Sequence, residues 1–306
     1  MANSTLLQLV DQAAGEMGLG VPTMVVGNSS QDVLQLRYLI QAVGNELSRE
    51  YDWQTLITEY RFPLVYYTYT GTTTLNSTSV TGMSSTTGLT ATPSYFMVTG
   101  TGINQDTYLT AAGGGTVTLS QAASASGTGI SLTFQQTKYA FPSDYDRPVD
   151  RTQWDKSKHW EMLGPETQQQ VQWLKSGFIS TGPRIRYYPA GGFFQVWPPM
   201  GANDTLGYSY LSKNWILSAS DVVTPSKAAY TVDSDTCIYP DVLMVLGLKS
   251  KYFAAKGWND IYASQFEAQR SIAKANDAGN PTLSMAPRLS QVLIGWTNIP
   301  DSGYGS

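Results

Sequence analysis

From Phe62 to Thr137 the chain carries one charged side chain, Asp106, and Thr, Ser and Gly dominate the stretch. A flexible linker could share that composition. A linker does not, however, repeat a buried-face alternation. In TVTLSQAASASGTGISLTF, residues 116–134, apolar and polar residues alternate at Val117 and Leu119 and again at Ile130, Leu132 and Phe134. That is the period of two strands of a hairpin with one buried face. VYYTYT and YFMV have the same β-branched and aromatic character, and turn signals such as TGTG, AAGGGT and SASGTG separate the runs. Residues 62–137 therefore read as an inserted small antiparallel β domain, a sandwich or an open barrel.

The flanks have a different period. Residues 4–17 read as a helix capped by Asn3 or Ser4, with Leu6, Leu7, Val10, Ala13, Ala14 and Met17 near helical spacing, stopped by Gly18 and Gly20. Residues 30–51 read as a second helix, opened by Ser29 and Asp32 and striped by Val33, Leu36, Leu39, Ile40, Val43 and Leu47. GPETQQQVQWLK suggests a helix with Pro165 in its first turn. RIRYYP, FFQVWPP and LGYSYL read as short strands, the first two joined at Gly191-Gly192. Pro240 opens DVLMVLGLKSKYFAAK, Gly257 stops it, and Asn259 or Asp260 caps a further helix through Lys274. The expected fold is thus α+β: a helical core made of an N-terminal and a C-terminal helix pair, with short β-hairpins and the β insertion. Residues 1–61 and 138–279 would form that discontinuous core, and residues 280–306 an extended tail.

The chemistry expected of the chain is sparse. Net charge is -4 and no long basic run occurs, which argues against sequence-specific nucleic-acid binding. The single cysteine, Cys237, leaves no partner for an internal disulfide or a Cys-based zinc site and reads as a small buried hydrophobe. The single histidine, His159, lacks a G-x-S-x-G elbow to serve, and no metalloprotease, EF-hand or Walker pattern appears. The acid pairs Asp144/Asp146 and Asp233/Asp235 could each share a strand face, as a glycosidase requires, yet Asp at such spacing is also ordinary turn chemistry. No enzyme, cofactor or metal is expected. MANSTLLQLVDQAAGE lacks the basic and apolar regions of an export signal, and no window approaches eighteen consecutive apolar residues. The expectation is synthesis in a cytoplasm and no membrane span.

The order of segments carries a resemblance. LLQLVDQAAGEMG leads through a Val-Gly-Asn turn to DVLQLRYLIQAVGNELSREYDWQTL. YAFPSDYDR, a Gly-Pro, YY-GG-FFQVWPP, YSYLSKNWI, DSDT and PDVLMVLGLKSKYFAAKGW follow. This arrangement resembles the head-to-tail adaptor, or connector, family of tailed bacteriophages, particularly that of short-tailed phages. It covers about residues 4–61 and 138–277 and leaves out the β insertion, which compact members lack.

The resemblance implies a structural virion protein at the capsid-tail junction. It would form a twelve-fold ring beneath the portal protein, extend the DNA channel, help retain packaged DNA without sequence-specific contact, and receive downstream tail, nozzle or fibre proteins. Its members are helical at the core and commonly send a C-terminal segment toward the portal. Only 14% of residues are charged and 12% are aromatic, which suits a chain that keeps surfaces packed against partners. Candidate contacts to the portal or a neighbouring subunit are Met285, Arg288, Leu289, Val292, Ile294, Trp296 and Tyr304. The β insertion would sit outside the ring. Its Thr/Ser surface also suggests a receptor-binding or glycan-acting tail component, but all eight tryptophans fall outside residues 62–137, and sugar stacking favours such rings.

Overall fold

The computed structural model describes residues 3–176, 184–199, 204–221, 223–259 and 261–277. Two helices open the chain. Helix α1 (Leu6–Glu16) starts at Thr5, whose hydroxyl accepts from the Gln8 N–H while the Gln8 side chain accepts from the Thr5 N–H. This reciprocal cap satisfies two otherwise orphaned donors and sits just beyond the expected Asn3 or Ser4. Those two residues are used elsewhere: Ser4 donates to Asp241 and Asn3 to the backbone of Cys237. Helix α2 (Gln31–Glu50) buries Val33, Leu36, Ile40, Val43 and Leu47 on one stripe. The chain then enters strand β1 (Ile57–Pro63).

Residues 66–136 supply six strands: β2 (Tyr66–Thr73), β3 (Ser79–Val80), β4 (Phe96–Gly100), β5 (Leu109–Gly113), β6 (Thr116–Leu119) and β7 (Gly127–Gln136). They form two three-stranded antiparallel sheets, ordered β2-β7-β4 and β3-β6-β5. Val80, Leu89, Phe96, Val98, Leu109, Val117, Leu119, Leu132 and Phe134 share one core between them. The hairpin expected across residues 116–134 does not form. Its two strands lie in different sheets, and SQAASAS carries the chain from one sheet to the other. The alternation identified the buried residues correctly but not their partners, because a period-2 pattern is blind to which strand lies alongside.

The remaining strands are β8 (Lys138–Ala140), β9 (Tyr145–Pro148), β10 (Trp154–Asp155), β11 (Trp160–Glu161), β12 (Arg186–Ala190), β13 (Phe193–Trp197), β14 (Thr205–Ser212), β15 (Ile216–Leu217) and β16 (Thr236–Cys237), with helix α3 (Gln168–Lys175) before β12. Strand β14 pairs with β1 along one edge and with β9 and β10 along the other, and β8, β13 and β12 form a separate sheet. Helices α4 (Asp241–Lys256) and α5 (Ala263–Asp277) end the described chain. Gly257, at φ 70°, stops α4 in the left-handed conformation that glycine adopts without steric cost. Helix α3 begins after a Thr167 cap, so Pro165 precedes the helix instead of lying in its first turn.

The expected helical core is overturned. Among the described residues 29% are helical and 31% are in strands, and the strands form several small antiparallel sheets. The helices share their core with strand-side residues: Leu211, Trp215, Ile216 and Cys237 pack with Leu9, Ile40, Val43, Met244 and Leu248. A second core is built from strands and loops, with Phe62, Tyr139, Tyr187, Phe194, Leu206 and Tyr208 at its centre. The Phe194 ring stacks on Tyr208 at 4.9 Å and on Tyr187 at 5.3 Å. The physical reason lies in ITEYRFP. Arg61 is opposite Gly207 in a register that runs from Ile57↔Leu211 to Pro63↔Thr205, so the stretch is a strand whose partner is far along the sequence.

The lone charge of residues 62–137 lies where the β module meets α3. Lys175 Nζ stands 3.7 Å from Asp106 and donates to the Tyr108 hydroxyl at 2.8 Å. Met97 packs there with Val171, Leu174, Tyr188 and Trp197. Tyr95 meets Phe193 edge-on at 4.9 Å. Burial lowers the Lys175 pKa, and the Asp106 charge opposes that shift. The module is thus held by a neck of adjacent strands, Tyr66↔Gln135, and by this second joint.

Candidate assembly surfaces

The acidic pairs are engaged in structure. Asp144 accepts from the hydroxyls of Tyr210 and Ser212, and Asp146 is paired with Arg147, which also holds Asp52. Asp233 accepts from the N–H groups of Val25 and Val26, fixing the α1–α2 connection. Asp235 is fully buried and accepts from Lys227 Nζ at 2.7 Å and from the N–H groups of Thr231 and Val232. Burial alone would raise its pKa; the Lys227 ammonium and the two backbone donors hold it below the usual carboxylate value. Asp11 shows the opposite behaviour: burial, then the charge of Asp233, raises it. His159 is exposed, at φ 57°, in the β10–β11 turn that Asp155 closes by accepting from the N–H groups of Ser157 and Lys158.

Large apolar side chains reach solvent in several places. The β10–β11 turn presents Trp154 and Trp160, 40% and 38% exposed. Helix α3 buries Val171 and Leu174, which leaves Trp173 outward at 57%. Trp258 follows α4, is 56% exposed, and lies edge-on to Phe253 at 5.4 Å. Val242 on α4, Ile272 on α5 and Ile261 in the connection between them are also exposed. By contrast Trp53, Trp197 and Trp215 are buried. Composition flagged an aromatic-rich chain; which rings stay outside depends on strand pairing and on the face α3 turns to its core, neither of which is visible locally.

A polar cleft of about 200 Å³ lies between α2 and the β14–β15 connection, lined by Asn45, Ser48, Arg49, Asp146, Ser212, Lys213 and Ala228. Sequence reading did not find it, since its lining is drawn from three separate stretches, around residues 45–49, 146 and 212–228. The tail residues singled out earlier, Met285, Arg288, Leu289, Val292, Ile294, Trp296 and Tyr304, lie outside the described residues. Among the described residues no helix is long and apolar enough to cross a membrane, and no cluster of three or more His, Cys, Asp or Glu could hold a metal ion. Compared with models of known protein families and with curated proteins, the chain matches none.

Proposed function

We propose that this chain is a structural virion protein of a tailed bacteriophage that assembles as a ring beneath the portal and joins capsid to tail. The order of segments in the sequence suggests the family. The structural observation that carries the reading is the distribution of exposed tryptophan: Trp154, Trp160, Trp173 and Trp258 each expose more than a third of their surface, and they flank different cores. Trp is among the residues that dominate protein–protein contacts. A cyclic ring needs two unlike patches on each subunit, one for each neighbour. Exposed rings on the β10–β11 turn, on α3 and after α4 supply more than one such patch.

A glycan-acting role for the β module is less well supported. A two-carboxylate hydrolase would have a single acid to draw on there, and Asp106 faces Lys175. The test is co-assembly. Purified chain mixed with the portal protein should give a complex with about twelve copies, read by mass photometry and electron microscopy. Chain that stays monomeric beside portal at high concentration, with no portal-bound fraction, overturns the reading. Trp258→Ser and Trp154→Ser should each weaken assembly while leaving the far-UV spectrum unchanged.

A further inference from the structure

The polar cleft between α2 and the β14–β15 connection brings two unneutralised cations together. Arg49 reaches it from the last turn of α2 and Lys213 from just after β14. Among the described residues neither side chain has an ion-pair or hydrogen-bond partner. The nearby acids are engaged elsewhere. Glu46 and Glu50, the neighbours of Arg49 on α2, pair with Lys251 of α4 and with Arg270 and Lys274 of α5. Asp52 and Asp146 share Arg147, and Asp144 takes the hydroxyls of Tyr210 and Ser212. A cation in the last turn of a helix is ordinary, since the carbonyl end favours it. A second one lining the same concave surface turns the pair into a field that gathers anions. Both are exposed, so the cleft is open to a dissolved ion.

The groups between them are fixed. The Asn45 side-chain oxygen accepts from Trp215 Nε1 and from Gln41 Nε2, each at 3.1 Å, which leaves its amide nitrogen to donate. The Ser48 and Ser212 hydroxyls donate to the Asn45 carbonyl and to Asp144, so neither is free to donate to a ligand. Strand β14 slips its register against β9 between Leu211 and Ser212, and such bulges re-aim the side chains beside them. Lys213 follows, its N–H held by the Asp144 carbonyl at 2.8 Å. One wall group accepts instead of donating. Asp146 gives Oδ2 to Arg147, and its Oδ1 has no partner among the described residues.

The arrangement asks for a small oxyanion that carries a proton, with oxygens for Arg49, Lys213 and Asn45 and an O–H for Asp146. Inorganic phosphate at pH 7 is a mixture of two anions, and both keep a proton. Sulfate and acetate have none and would set a bare oxygen against Asp146. A phosphate monoester, whose second pKa is about 6, has largely lost its own, and the diesters of a DNA backbone carry none. At about 200 Å³ the cleft is smaller than a drug-sized pocket and fits one such ion with a few waters.

We infer that this cleft binds inorganic phosphate, with Arg49, Lys213 and Asn45 donating to its oxygens and Asp146 accepting from its O–H. The inference does not depend on the functional reading above.

Equilibrium dialysis of the full chain against radiolabelled inorganic phosphate, at pH 7 and low salt, tests it. Binding should saturate at one ion per chain. Arg49→Gln and Lys213→Gln should each weaken it about tenfold with the far-UV spectrum unchanged. Sulfate should compete at least about tenfold more weakly than unlabelled phosphate, and Asp146→Asn should narrow that gap, because an amide can donate to sulfate. Absence of saturable binding at millimolar phosphate overturns the proposal. So does binding that R49Q and K213Q leave intact, which would put the ion elsewhere. Sulfate, or a DNA duplex without terminal phosphates, competing as well as phosphate would also overturn it, since the cleft would then read charge alone.

Discussion

Replacing Gly44 with alanine asks whether α2 is seated by the strand side of the molecule. Gly44 lies within the twenty-residue α2, where glycine costs about 1 kcal/mol relative to alanine. Taken alone, Gly44→Ala should stabilise. But a Cβ there would stand 2.0, 2.3 and 2.4 Å from Cη2, Cζ2 and Cζ3 of Trp215, where carbon atoms prefer about 3.5–4.0 Å. Trp215 is fully buried, lies edge-on to Tyr230 at 5.3 Å, and donates from Nε1 to Asn45 at 3.1 Å. It cannot retreat without breaking these contacts. Overpacking of this kind costs about 3 kcal/mol or more. Set against the propensity gain, the net loss is roughly 2 kcal/mol.

Urea unfolding followed by circular dichroism would measure it, with unchanged m-values as the check that only stability has moved. Trp215→Phe removes the fused ring that meets the new methyl group. It is destabilising alone, yet G44A/W215F should be more stable than the sum of the single effects by about 1–2 kcal/mol. If Gly44→Ala is neutral or stabilising, or if the two changes simply add, the close approach of Trp215 does not govern this position.

Other expectations follow from the buried charges and the joint. Asp11 has a raised folded-state pKa, so its ionised form opposes folding. Asp11→Asn should raise Tm at pH 7, and the gain should vanish as pH falls below the unfolded carboxylate value, where both states are protonated. Asp235 has the opposite sign: its folded pKa is lowered, so its contribution is present above the unfolded value and lost as pH falls through the folded one. Asp235→Asn should cost about 2 kcal/mol at neutral pH and progressively less in acid, by thermal melts across pH 2–7. Asp106→Ala should leave Lys175 without its counter-charge and loosen the β module, seen as faster limited proteolysis near residues 64 and 137 with little change elsewhere. Joining residue 65 to residue 136 through a short turn should leave the remaining chain folded, because those ends already lie side by side; aggregation on that deletion would show that the module supplies part of the common core.

The helices could be read from the chain because their signals are local. Leu36, Ile40, Val43 and Leu47 repeat at helical spacing within one window, and Gly257 stops α4 where its sequence implies. The burial of Val117, Leu119, Leu132 and Phe134 was legible for the same reason. What stayed hidden is non-local. Nothing in ITEYRFP announces that its partner is TLGYSYLS, so the stretch fell at the edge of a presumed helical unit, and a helical core was expected where sheets share the work. The second core shows the same limit: Tyr145, Tyr187 and Tyr208 are ordinary aromatic residues until three strands bring them to one place.

The two-point attachment of the β module has a mechanical consequence. A body hung from one ribbon swivels; one fastened at two separated places behaves as a strut. A tug on the module would travel through Asp106 and Met97 into α3, and through Tyr95 into β13. Strand β13 carries Phe194, at the centre of the second core. Whatever grips the module from outside would therefore be pulling on the stack that Phe194 makes with Tyr187 and Tyr208.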